Sequence, residues 1–106
     1  MSIDKYAAPL ERTLATALVD RALAEGLLVS VFDGGELVVS RSNDRTEVLE
    51  ALASTDEDRL TLRNPDGSIF GRVWLIWGNG ADLFSDWSDS GELDDMVWSI
   101  IEAHAP

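Results

Sequence analysis

The chain has 106 residues, with 20 Asp and Glu against 8 Lys and Arg, one His and no Cys, so its formal net charge is −12 at pH 7. That length suits one globular domain over residues 1–106, and a 45% hydrophobic share can build a core, which argues against an acidic disordered chain. Without Cys there is no thiolate nucleophile, disulfide, iron–sulfur cluster or Cys-based zinc site.

The first 28 residues carry Asp4, Glu11, Arg12, Asp20, Arg21 and Glu25 with no unbroken apolar stretch, so no secretory signal or transit peptide is legible. The strongest apolar run, Val73 to Trp77, falls far short of the roughly 20 residues a membrane helix needs. The expectation is a soluble, cytoplasmic protein without a membrane partner. Seven Arg to one Lys and Ala-rich helices point to a high-GC bacterial or phage genome.

Leu10, Leu14, Leu18 and Ala22 recur at four-residue steps, with Pro9 suited to the first helical position and Gly26 to the stop, which predicts a helix over Pro9 to Glu25. Leu27–Asp33 and Glu36–Arg41 flank Gly34-Gly35, a pair that tolerates the positive φ of a tight hairpin turn. Ser42, Asn43 and Asp44 are capping types before a short helix that carries Val48, Leu49 and Leu52. A second hairpin joins Arg59–Asn64 to Ile69–Trp77 through Asn64-Pro65-Asp66-Gly67. After Gly78-Asn79-Gly80 and an acidic loop, Leu93, Met96, Val97, Ile100, Ile101 and His104 line one side of a terminal helix. The order α-ββ-α-ββ-α predicts an α+β two-layer sandwich, a four-stranded antiparallel sheet made of two hairpins with the helices on one face.

Strand alternation then divides the side chains. Ile69, Gly71, Val73, Leu75 and Trp77 lack charge and are expected to face the core, leaving Phe70, Arg72, Trp74 and Ile76 outward. Their expected companions are Arg59, Thr61 and Arg63, then Val38 and Ser40, then Leu28, Ser30 and Phe32. An open face with aromatics among arginines reads as a partner or self-association surface, unless the chain folds over it or the Arg stems shield the rings. The same residues could stack bases, but a charge of −12 repels a polyanion, so no nucleic-acid partner is expected.

The charge is uneven: from Gly78 to Pro106 there are seven carboxylates and no Lys or Arg. Asp82, Asp86, Asp89, Glu92, Asp94 and Asp95 are interleaved with Leu83, Phe84 and Trp87. Helix entry explains part of this, with Ser90 as cap and the acids in the first turns. A carboxylate surface offered to a basic partner is the second reading. Asp86, Ser88, Ser90 and Gly91 imitate the opening of a calcium-binding EF-hand loop, yet the twelfth position falls on Val97 where a Glu is required.

No catalytic constellation is legible. The lone His104 sits at a helix end where the dipole favours a cation, and one His without Cys supports neither a triad nor a His-rich metal site. Gly78-Asn79-Gly80 lacks the Lys and Ser/Thr of a phosphate loop. Trp98 falls off the apolar stripe, as a lateral packing residue or an exposed anchor.

The sequence therefore reads as a small acidic, non-enzymatic interaction or regulatory protein that binds another protein or a second copy of itself. A pointed form of that reading is an inhibitor that mimics nucleic-acid charge. Its candidate binding residues are Phe70, Arg72, Trp74, Arg63, Asp86, Trp87, Asp89 and Trp98, with no cofactor and no metal expected. The rival is a carboxylate-based domain that binds a metal or small molecule as an enzyme.

Overall fold

A computed structural model describes residues 8–88 and 91–104. The elements are α1 (Pro9–Ala24), β1 (Leu28–Asp33), β2 (Glu36–Ser42), α2 (Arg45–Ala51), β3 (Glu57–Arg63), β4 (Ile69–Ile76), a 3-10 turn (Gly80–Asp82), β5 (Phe84–Trp87) and α3 (Gly91–His104). The five strands form one sheet in the order β2-β1-β3-β4-β5, every neighbouring pair antiparallel. The α+β class and the sequence of helices and hairpins agree with expectation, but the sheet has five strands, not four. The extra one is Phe84–Trp87, read from sequence as loop; it pairs with β4 through Val73 with Trp87, Trp74 with Asp86 and Leu75 with Phe84.

One layer of the core comes from Leu14, Ala15, Leu18, Val19 and Ala22 of α1, with Leu93, Met96, Val97 and Ile100 of α3 beside them. The opposing layer is Val29 and Val31 of β1, Leu60 and Leu62 of β3, and Val73 and Leu75 of β4. Val73 and Leu75 are fully buried while Arg72 and Trp74 are only partly so, which is the alternation expected of a sheet covered on one side. Asp44 caps α2 as its residue type predicts, its carboxylate accepting the Thr46 and Glu47 N–H groups at 3.0 and 3.3 Å. Two residues named in the acidic region, Asp89 and Ser90, lie outside the described residues.

Helix α3 sits close on the sheet because Gly71 has no side chain. A Cβ there would meet Leu93 Cδ2 at 2.3 Å and Ser88 Oγ at 3.3 Å. The Ser88 hydroxyl accepts the Arg72 N–H at 2.9 Å, so β5 and α3 are anchored to the same stretch of β4.

The helix layer is tied to the sheet by a buried carboxylate. Glu11, in the first turn of α1, is 1% exposed. Its Oε1 accepts the Ala8 N–H at 3.0 Å, the glutamate half of a capping box whose first residue, Ala8, has no acceptor to return. Its Oε2 accepts three successive N–H groups, from Gly78 at 2.6 Å, Asn79 at 3.1 Å and Gly80 at 3.3 Å. Gly78 and Gly80 have φ of +100° and +58°, the left-handed geometry that lets consecutive amides converge on one anion. A carboxylate removed from water needs such partners.

Two outcomes follow for stability in urea. Glu11→Ala strands four donors and is expected to cost about 3 kcal/mol or more. Gly71→Ala, which forces Leu93 off its seat, is expected to cost about 1–3 kcal/mol. A loss below about 0.5 kcal/mol in Glu11→Ala would show that water replaces the carboxylate at no cost.

Candidate functional site

The face of the sheet away from the helices is built in cross-strand rows. The first runs Leu28, Arg63, Ile69; the second Ser30, Thr61, Arg72; the third Leu37, Phe32, Arg59, Trp74, Asp86; the fourth pairs Glu57 with Ile76. Ser30 and Thr61 are 5% and 3% exposed, a low hydroxyl floor beneath longer neighbours.

Bulges take one residue expected on this face, Phe70, off it, and change the cross-strand partner on β2 while leaving the expected Val38 exposed. The β3–β4 register slips after Leu62, so Arg63 faces Ile69, and the extra residue Phe70 packs instead against the core on the helix side. The slip is set by the Asn64–Ser68 turn, closed by Asn64 N–H to the Ser68 carbonyl at 2.8 Å and braced by Asp66, whose carboxylate accepts the Ser68 N–H and hydroxyl. The Asp66 carboxyl is held below its ordinary range by those two bonds. On β2 the register slips twice against β1, so that Leu37 rather than Val38 stands opposite Phe32. At the second slip Arg41 adopts φ +48° and donates its N–H to Ser30 Oγ at 3.0 Å.

Four of the seven arginines of the chain belong to this face: Arg41, Arg59, Arg63 and Arg72. Arg63 Nη1 donates to the Gly67 carbonyl at 2.9 Å, and Arg41 reaches the same turn, its Nη1 lying 3.7 Å from where a Cβ on Gly67 would be. The Arg59 guanidinium lies 4.5 Å from the Phe32 ring centroid, a cation–π contact, with its Nε shielded from water and without an acceptor. Phe32, Gly34, Gly35, Glu57, Arg59 and Trp74 line a notch of about 270 Å³ at this end of the face. The ion pairs Arg21 with Glu25 at 3.1 Å and Arg45 with Asp20 at 2.6 Å lie elsewhere.

Of the candidate residues, Arg63, Arg72 and Trp74 share the open face, with Asp86 beside Trp74 at its edge. Phe70, Trp87 and Trp98 do not. Phe70 lines a separate cleft of about 450 Å³ with Met96, Glu92, Asp95 and Glu25. Trp87 pairs with Val73 on the helix side, donates Nε1–H to Asp94 at 2.9 Å, and meets Trp98 edge-on at 5.6 Å and 82°. Trp98 packs edge-on against Trp87 of β5 rather than against a helix and is 48% exposed. Asp89 lies outside the described residues. Asp86 and Glu92 are exposed, as expected of the acidic stretch. Among the described residues no group of three or more His, Asp or Glu is placed to hold a metal ion, and no helix is long and apolar enough to cross a membrane.

Sequence reasoning placed Arg59 on this face without counting it among the binding residues, and it missed Arg41. It also missed Asp58, on the core side of β3 and 0% exposed. Asp58 Oδ2 accepts Ala53 N–H and Trp77 Nε1–H, both at 2.8 Å, while Oδ1 has no partner. Burial is the main cause that pushes its carboxyl above the ordinary range, with the nearby Asp33 and Glu57 charges adding to it and the two hydrogen bonds opposing it. Its bond to Ala53 holds that residue at φ +60°, a region non-glycine residues seldom occupy. Closed off from solvent, Asp58 is a structural clamp.

Comparison with known protein families, curated proteins and solved structures finds no match to this chain.

Because the folded-state proton affinity of Asp58 is raised, the folded protein binds its proton more tightly than the unfolded chain does. Its contribution to stability is therefore greatest in acid and declines as pH rises through and above the ordinary carboxylate range. Asp58→Asn keeps the acceptor and removes that charge, so its stability relative to wild type is expected to improve from pH 4 to pH 7 in urea titrations. Asp58→Ala, which strands two donors, is expected to lose about 2 kcal/mol.

Proposed function

We propose that this protein works by binding another protein across the open face of its sheet, without chemistry of its own. The observation that carries the reading is a face of Leu37, Phe32, Trp74, Ile76 and Ile69 studded with four arginines and covered by no element among the described residues. Trp and Arg are the residue types that dominate binding hot spots, and a broad apolar face with cationic members marks interaction surfaces.

The sheet edges support the face as the binding element. β2 is interrupted by two bulges, and β5 is four residues long with a register slip of its own. Bulged and short edges discourage strand addition by another chain. Self-association face to face would set the four arginines of one copy against those of the other, which favours a different protein as partner. A second reading, the nucleic-acid-mimicking surface, is supported by the exposed Glu92, Asp95 and Glu102 along α3 and by the absence of any Lys or Arg from Gly78 onward.

Nuclease-treated lysate passed over the immobilised protein separates these readings. A saturable partner retained by wild type and by Glu92→Gln/Asp95→Asn, but lost with Trp74→Glu at unchanged thermal stability, is the expected result. Loss with the acid-neutralising pair and not with Trp74→Glu would shift the binding surface to α3.

A further inference from the structure

We infer that the partner segment received by this face is an acidic polypeptide whose carboxylates alternate with aromatic or large apolar side chains, one carboxylate seating against Arg59 in the notch between Phe32 and Trp74. This rests on the open face being a protein-binding surface and adds the chemistry of what it binds.

Charge complementarity is the first support. In a chain with 20 carboxylates and a net charge of −12, four arginines occupy one face, and the ion pairs of the described residues, Arg21 with Glu25 and Arg45 with Asp20, lie off it. Arginines that meet no carboxylate at ion-pair distance among the described residues, amid such an excess, are available to carboxylates from outside. The guanidinium fork suits a planar, two-oxygen acceptor. Arg59 is pre-positioned for such a contact: its Nε is shielded from water and its Cζ lies 4.5 Å over the Phe32 ring, so less side-chain freedom remains to be lost on binding. Two carboxylates flank the row: Asp86 ends it beyond Trp74, and Glu57, in the next row two residues before Arg59 on β3, stands on the lip of the notch.

The pattern of the face is the second support. Cationic and apolar side chains alternate within rows, with Arg63 between Leu28 and Ile69, and Arg59 between Phe32 and Trp74. Between these rows, Ser30 and Thr61 leave a shallow strip that ends at Arg72. Rows in a sheet repeat at about 7 Å along a strand and about 4.8 Å across strands, the spacing at which alternate side chains of an extended segment, or successive turns of a helix, present themselves. A polyphosphate backbone matches the cations but not the apolar side chains between them, and it meets the long-range repulsion of the whole molecule.

The test uses the full chain and fluorescence anisotropy of four labelled probes: a random Glu/Tyr copolymer, poly-Glu, poly-Lys and a twenty-residue oligo-dT. The copolymer is expected to bind saturably, about tenfold or more tighter than poly-Glu, and to weaken between 50 and 300 mM salt. Arg59→Ala and Arg72→Gln are each expected to weaken it about fivefold or more, Arg59→Lys less than Arg59→Ala, and Arg45→Gln, off the face, not at all. Arg59→Lys also guards against a fold defect in Arg59→Ala.

Equal binding of poly-Glu and the copolymer would reduce the face to an ion exchanger and overturn the inference. So would oligo-dT binding as tightly as the copolymer, which would point to a nucleic acid. Concentration-dependent self-assembly abolished by Arg59→Ala would instead make the acidic α3 of a second copy the occupant. If no acidic probe binds while a lysate partner is still lost with Trp74→Glu, the protein-binding reading stands and the acidic class of partner falls. If Trp74→Glu changes nothing either, both fall.

Discussion

A single carboxylate joins the two ends of this fold. Glu11 lies in the first turn of α1, and the amides it receives come from the connection between β4 and β5, 67 to 69 residues along the chain. Four N–H donors surround two oxygens with almost no solvent contact. That geometry fixes where α1 enters the helix layer and how the chain leaves β4, and the short β5 and the helix behind it follow from that exit. Gly78-Asn79-Gly80 has no features of a nucleotide-binding loop, yet its backbone does what such loops do. It converges amides on an anion, and the anion is the protein's own.

The same logic of placing charge where it has partners sorts the two sides of the molecule. On the helix side, Asp44 caps α2, Asp94 accepts the Trp87 indole, and Asp58 holds Ala53 and Trp77 in place. Asp33 accepts the Ser54 and Thr55 hydroxyls, which lower its proton affinity. On the other side of the sheet, Arg59 has an aromatic partner and Arg63 a carbonyl, but among the described residues these cations meet no carboxylate at ion-pair distance. A protein with an excess of acids that leaves its arginines so disposed supports a role for that face outside the folding of this chain.

Bulges give the face its final composition. On β4 the extra residue leaves Ile69 rather than Phe70 outward, and on β2 it brings Leu37 opposite Phe32 with Val38 still exposed beside it. Their effect is to keep Phe70 with the helix layer beside Met96 while Arg63 remains on the open side. They also twist and interrupt the β2 edge, so that the side chains rather than the backbone edge are what this sheet offers.

Local physics in the sequence determined much of this. Period-four apolar steps specified α1 and α3, Asp44 its cap, Gly34-Gly35 its hairpin, and the alternation Arg72, Val73, Trp74, Leu75 the buried and open sides of β4. Each depends on neighbours within a few residues. Tertiary structure alone decided the rest. Phe84-Ser85-Asp86-Trp87 has too few alternating residues to announce a strand and becomes one only by pairing with β4. The outward exchange at Phe70 depends on a register fixed between two strands, which no single-strand pattern contains. The burial of Glu11 and Asp58, the most consequential polar residues in the fold, was illegible because a carboxylate in sequence looks solvated until distant backbone amides and an indole supply its partners.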